Sequence, residues 1–241
     1  MQLEKKEKND NSYSSSDNWS KDYAKEGMAY PAEYVIRIFL GDYPNLNLNK
    51  DIKQGQKILD VGCGDGRHMP LFSKVGLEAY GVEISDSIVN ILKKRLSPQF
   101  IKSSNLKKGS CASLPFEDKK FDYVIAWNSA YYMTLDNVLF EKHAEELARV
   151  TKPGGRILIS VPKSTAFIFR NSVEHTNPDY RVIKDDPFGG MRNGEIMRCF
   201  KSDKELADSF KEHCKDFIHA DIHDNCFGLN YHWFLLVATR I

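Results

Sequence analysis

The chain has 241 residues, 41% of them hydrophobic and 28% charged, enough for one α/β core with an appendage or two. Lys plus Arg number 34 and Asp plus Glu 33, a balance that sets up no long-range field for polyanions and argues against a nucleic-acid partner. No apolar run nears the roughly 20 residues that cross a bilayer, the first ten residues are charged where a secretory leader would be apolar, and the five cysteines show no C-x-x-C pair or metal-type spacing. The expectation is a cytoplasmic protein with free thiols, no membrane partner and no bound metal.

Residues 1–18 are polar and carry a serine cluster at 12–16, a composition that predicts a mobile tail. A helical pattern follows at 19–23 and another at 31–39, with Pro31 in its first turn and Val35, Ile36, Ile38 and Phe39 as its apolar face. Residues 19–50 are therefore read as a helical cap on a single domain spanning 19–241. From residue 57 strand and helix patterns alternate. Strands are expected at 57–61, 78–82, 121–127 and 156–161, with a short one near 101 or 106–110; helices are expected at 69–74, 85–96 and 139–150. This rhythm predicts an α/β fold with a doubly wound, Rossmann-like parallel sheet. A helix at 203–214 and strands at 217–222 and 233–239, joined across 224–230, close the chain. Residues 162–198 form a long insertion between them.

The run Ile58-Leu59-Asp60-Val61-Gly62-Cys63-Gly64-Asp65-Gly66 carries most of the functional signal. An apolar strand stops at an acid, and glycines at alternate positions allow positive φ and close approach of a ligand to the backbone. The spacing G-x-G-x-G differs from dinucleotide and phosphate loops, so a small ligand lying across the turn fits better than a cradled phosphate. Glu83 closes the next strand 19 residues after Gly64, where a carboxylate can accept both hydroxyls of a ribose. The first run resembles motif I of the class I S-adenosylmethionine-dependent methyltransferases. Gly109-Ser110-Cys111-Ala112-Ser113-Leu114-Pro115-Phe116 is similar to that family's adenine-bordering segment, with Ser110 in place of the usual Asp. Residues 121–128 resemble its fourth strand and Arg149–Gly155 its R-x-L-K-P-G-G turn. The resemblance implies S-adenosyl-L-methionine as cofactor, S-adenosyl-L-homocysteine as product, and a seven-stranded sheet with an antiparallel C-terminal edge strand. It places Asp60, Gly62, Cys63, Gly64, Arg67, Glu83, Ile84, Ser110, Cys111, Ala112, Trp127 and Asn128 on the cofactor. Tyr23 joins them through a W-x-x-x-Y pattern starting at Trp19, whose i, i+4 spacing puts both rings on one helix face.

The acceptor side is less legible. A sulfonium is already an activated leaving group, so the protein need only align the acceptor and exclude water, with a base if the acceptor is protonated. Tyr131 stands where many small-molecule members of the family place His, and His175 lies in the insertion; both are candidate catalytic residues. Tyr132, Arg170, Arg192 and Arg198 are candidate acceptor contacts, since guanidinium groups interleaved with aromatics can grip an anion bidentately. The expected reaction is methyl transfer to a small polar metabolite at oxygen, an anionic sugar- or phosphate-containing one on the strength of those arginines. Two rivals stay open: a nucleic-acid methyltransferase, for which Asn128-Ser129-Ala130-Tyr131 lacks both prolines of the N-P-P-Y pattern, and a non-catalytic binding module.

Overall fold

The computed structural model describes Trp19, Lys21 and residues 30–134 and 137–241. The expected tail at 1–18, Tyr23 and most of the helix at 19–23 lie outside the described residues. The chain opens with α1 (Glu33–Leu40), which buries Val35, Ile38 and Phe39, and the single turn α2 (Leu48–Asp51). Then β1 (Lys57–Val61), α3 (Met69–Lys74), β2 (Glu78–Glu83), α4 (Asp86–Arg95), β3 (Leu106–Lys108), β4 (Phe121–Trp127) and α5 (Phe140–Val150) alternate. The rest comprises β5 (Thr151–Pro162), a small sheet of β6 (Val173–Glu174), β7 (Tyr180–Val182) and β8 (Ile196–Arg198), then α6 (Asp203–Asp208), β9 (Cys214–Cys226) and β10 (Leu229–Arg240). Among the described residues, no helix is long and apolar enough to cross a membrane.

Seven strands form one sheet in the order β3-β2-β1-β4-β5-β10-β9. The strands through β5 run parallel, and helices cover both faces, which is why β1 and β4 read as near-continuous apolar runs and are buried almost end to end. The chain winds outward from β1 to β3 and returns to place β4 on the other side of β1. That reversal opens a crevice at the carboxyl ends of β1 and β4, the place where open α/β sheets bind ligands. The last strand is antiparallel, as expected; it inserts beside β5, from Trp233 opposite Pro162 to Thr239 opposite Arg156, and leaves β9 at the edge.

The strand expected at 156–161 begins earlier, at Thr151, and two other boundaries differ from expectation for local reasons. The helix predicted to reach residue 214 stops at Asp208, because the following amides bond three residues back (Phe210 N–H to Ala207 O, His213 N–H to Phe210 O), and Phe210 turns into the core. The connector expected at 224–230 is a two-residue turn: Phe227 and Gly228 both adopt positive φ (52° and 90°), and the strands on either side lengthen to meet it.

Candidate functional site

At the end of β1 the chain turns through three glycines with φ of 70°, 59° and 75°. A Cβ on Gly62 would lie 2.5 Å from that of Ser129, so the turn and the loop after β4 meet only because Gly62 has no side chain. The amides of Gly62 and Cys63 both donate to Val82 O, holding the turn against β2. Glu83, at the end of β2, accepts from Gly64 N–H (2.6 Å) through one oxygen and from Ile84 N–H (3.0 Å) through the other. Burial pushes its carboxyl up to about 7, against the pull of these two amides. A cavity of about 130 Å³ opens over it, lined by Gly62, Val82, Ile84, Gly109, Ser110, Cys111 and Asn128 among others. Burial raises the Cys63 thiol well above its ordinary range and the Cys111 thiol to about 12, so both are protonated, weakly polar wall residues.

Asp60 and His68 form a buried pair below the turn. His68 Nδ1 lies 3.0 Å from an Asp60 carboxylate oxygen. A carboxylate only accepts, so Nδ1 carries the proton and Nε2 presents a lone pair. Neither that nitrogen nor the second Asp60 oxygen has a hydrogen-bond partner among the described residues.

A second cavity, of about 280 Å³, adjoins the first across Gly62, Asn128 and Tyr132. Asn128 sits at the junction with φ of 54°, fixed by a reciprocal pair: its N–H donates to Ser160 Oγ (2.8 Å), which donates to Asn128 Oδ1 (2.9 Å). The walls are aromatic. Trp127 and the stacked rings of Tyr131 and Tyr132 (4.8 Å apart) form one side. On another, Phe167 packs against Phe188, Tyr231 and Trp233 at 5.6, 4.9 and 5.7 Å. Trp233 Nε1 is buried without a hydrogen-bond partner among the described residues, and Arg67, His68 and Arg192 also line the cavity. The Arg192 charge is largely satisfied: its guanidinium pairs with the fully buried Asp186 side chain at 3.2 Å, hydrogen-bonds Tyr132 and lies 5.7 Å from the centre of the Trp19 ring.

The structure thus brings Gly62, Cys63, Gly64, Arg67, Glu83, Ile84, Ser110, Cys111, Trp127, Asn128, Tyr131, Tyr132 and Arg192 to two joined cavities, with Asp60 behind His68. Ala112 sits in the turn closed by mutual bonds of Ser110 and Ser113. Three candidates lie elsewhere. Arg170 is exposed, one residue past the turn that carries Phe167. Arg198 is buried against Asp179 (3.1 Å) and stacks on Tyr180 and Phe200, which makes it a strut of the small sheet and no acceptor contact. His175 accepts from Asn177 N–H and packs near Tyr180, outside the lining of both cavities, whereas His68 lines the second. Besides His68, sequence reading missed Phe167, Phe188, Tyr231 and Trp233 as a joint wall. The period of two between Tyr231 and Trp233, on a strand starting at the carboxyl edge of the sheet, was the available signal.

The family model described as "Methyltransferase domain" matches residues 59–159. That stretch runs from the heart of β1 through Glu83, the 110–116 turn and Asn128 to β5. It is similar to the class I S-adenosylmethionine-dependent methyltransferase domain. Demethylmenaquinone methyltransferases of Bacillus cereus and Bacillus anthracis are 34% identical over 112 residues, 45% of this chain and 45% of theirs, so the similarity spans about half the length of the curated relatives. Among solved structures, a methyltransferase of Methanosarcina mazei has a TM-score of 0.62 at 19% identity, covering 83% of this chain and 98% of its own. A protein of Pyrococcus horikoshii has a TM-score of 0.62 at 21% identity, covering 92% and 99%. These two share the fold. S-adenosylmethionine is the cofactor of the domain family, and the residues present fit it. The glycine turn keeps side chains off the floor of the cavities, and the Glu83 carboxylate in their wall can accept from a ribose diol.

Proposed function

We propose that this chain transfers a methyl group from S-adenosylmethionine to oxygen of a small acceptor that seats a flat ring in the aromatic cavity. The observation that carries this reading is the junction at Asn128, where a glycine-floored cavity meets an aromatic-walled one and a buried histidine lone pair borders the second. When bound, the cofactor supplies a methyl group already activated by its sulfonium. Glu83 and the 110–113 turn hold the nucleoside end; Trp127, Asn128 and Tyr131 set the line of approach. His68, oriented by Asp60, would take the proton of an acceptor hydroxyl while the bound cofactor supplied the methyl group. The products are S-adenosylhomocysteine and the methyl ether.

The arginine-based expectation of a sugar or phosphate acceptor is narrowed accordingly. Arg192 is the arginine of the insertion that borders the cavity, and Asp186 already offsets its charge, so it suits a single polar or anionic substituent on a ring better than a phosphate. The name of the Bacillus relatives points to an acceptor of similar shape. The test is transfer of labelled methyl from the cofactor to a panel of hydroxylated aromatics, quinols, sugar phosphates and bulk RNA. Turnover confined to the ring compounds supports the reading. Transfer to RNA would revive the nucleic-acid rival, and cofactor binding without S-adenosylhomocysteine formation on any acceptor would favour a non-catalytic module.

A further inference from the structure

One buried imidazole plays no part in the chemistry above. His143 lies on α5, 1% exposed, and lines the nucleoside-end cavity together with Ser110 and Cys111. Its Nδ1 lies 2.7 Å from Ala130 O. A carbonyl only accepts, so Nδ1 carries the proton and Nε2 must be an acceptor; the opposite tautomer would set two lone pairs against each other. Nε2 is buried and has no partner among the described residues. Leaving such a group unsatisfied is costly, so a buried orphan on a residue that lines a cavity calls for a ligand.

The placement of α5 says which part of a ligand it meets. One turn further along the same face, Glu146 accepts from Leu114 N–H, and Arg149 donates to Leu114 O and Phe116 O. The 110–116 turn is thereby strapped along the helix, with its start at the level of His143. Thr134, whose buried Oγ1 also has no partner among the described residues, lines the same cavity. Ser110, at the mouth of the turn, brings a hydroxyl and no carboxylate. A purine amino group carries two hydrogens to donate, and His143 Nε2 and Thr134 Oγ1 are neutral groups that can accept them.

We propose that His143 Nε2 is the acceptor that recognises the exocyclic amino group of the cofactor's adenine, a specificity-determining contact made from α5. This rests on the reading of the cavity as the S-adenosylmethionine site. Burial lowers the imidazole below its ordinary range in spite of the bond to Ala130, which keeps the ring neutral and Nε2 an acceptor near pH 7.

The experiment compares S-adenosylhomocysteine with its 6-deamino analogue, identical except that the purine lacks the amino group, by calorimetry on the full chain. The wild type is expected to bind the amino ligand about tenfold more tightly, in the range of one buried hydrogen bond. In His143→Phe the two ligands should bind within about threefold of each other, whereas Arg170→Ala, outside both cavities, should keep the preference. A ratio unchanged by His143→Phe overturns the proposal. If that variant fails to fold, the wild type decides: the ¹⁵N resonance of His143 Nε2 should move when S-adenosylhomocysteine is added and stay put with the deamino analogue, and an equal response to both overturns it. Failure of the underlying reading looks different, because neither ligand would then bind the wild type.

Discussion

The two joined cavities are built in opposite ways. The donor side is made of backbone: a glycine turn, two amides on Glu83 and a four-residue turn at 110–113, all on consecutive elements of one winding. The acceptor side is made of side chains, with rings from the loop after β4, the insertion and the start of β10, more than 100 residues apart at the extremes. A backbone site fixes one ligand, since changing a side chain hardly alters it. A ring-walled site can be reshaped one residue at a time. The contrast teaches that the methyl donor is set by the winding of the fold, and the receiver by what is hung on it.

Substitutions can break that division, and the largest effect is expected at its hinge. Gly62→Val should abolish cofactor binding in calorimetry and lower the melting temperature, because it adds a β-branched side chain at φ of 70° into contact with Ser129. Next comes His68→Gln, expected to lower kcat on the order of 100-fold or more while leaving the dissociation constant of S-adenosylhomocysteine within a few-fold. A parallel collapse of cofactor affinity would move His68 to the donor side. Glu83→Gln should weaken cofactor binding about 10- to 100-fold, the range for charge-assisted hydrogen bonds.

Glu83 also gives a test by pH. Its carboxyl, at about 7 in the free protein, must be ionised to accept two hydroxyls, so cofactor affinity should fall toward tenfold per unit below pH 7 and level off above it. Stability of the ligand-free protein runs the other way. The folded value lies above the unfolded one, so the stabilisation is full below about 4.5 and is lost as pH rises through 7. Wild type should therefore lose stability relative to Glu83→Gln across that window in denaturant titrations.

Smaller effects sharpen the acceptor side. Trp233→Leu should raise the acceptor KM about tenfold, the order for losing one large ring from a packed site, with cofactor affinity unchanged. Arg170→Ala and His175→Ala should each leave kcat and both affinities within about twofold, since neither residue reaches a cavity.

What could be read from the sequence follows the same line. Strands at 57–61 and 121–127 and the helix at 69–74 match the structure residue for residue, because an apolar run ended by glycine or by a polar turn has one good solution in a parallel sheet. The acid at 83 was legible because spacing along a single βαβ unit converts directly into distance. The aromatic wall was not. Phe167 and Trp233 meet through antiparallel pairing of β10 with β5, a contact that no local pattern records. The arginines show the limit of residue type as a guide: Arg170, Arg192 and Arg198 look alike in sequence, yet one is exposed, one is paired with Asp186 at the cavity and one braces Tyr180. Likewise Phe227 carries no turn signature, so the two-residue turn that brings Tyr231 and Trp233 to the carboxyl edge went unseen.

The lock at Asn128 has an evolutionary consequence. Its left-handed backbone is held by Ser160 on the neighbouring strand, and neither partner belongs to the insertion or to β10. On the proposed reading, the distance and angle between donor and receiver are set by a pair of residues that a change of receiver does not touch. Residues 162–198 can be exchanged or rebuilt for a new substrate while the line of attack is inherited intact, which makes this scaffold a good starting point for directed diversification of its acceptor loop.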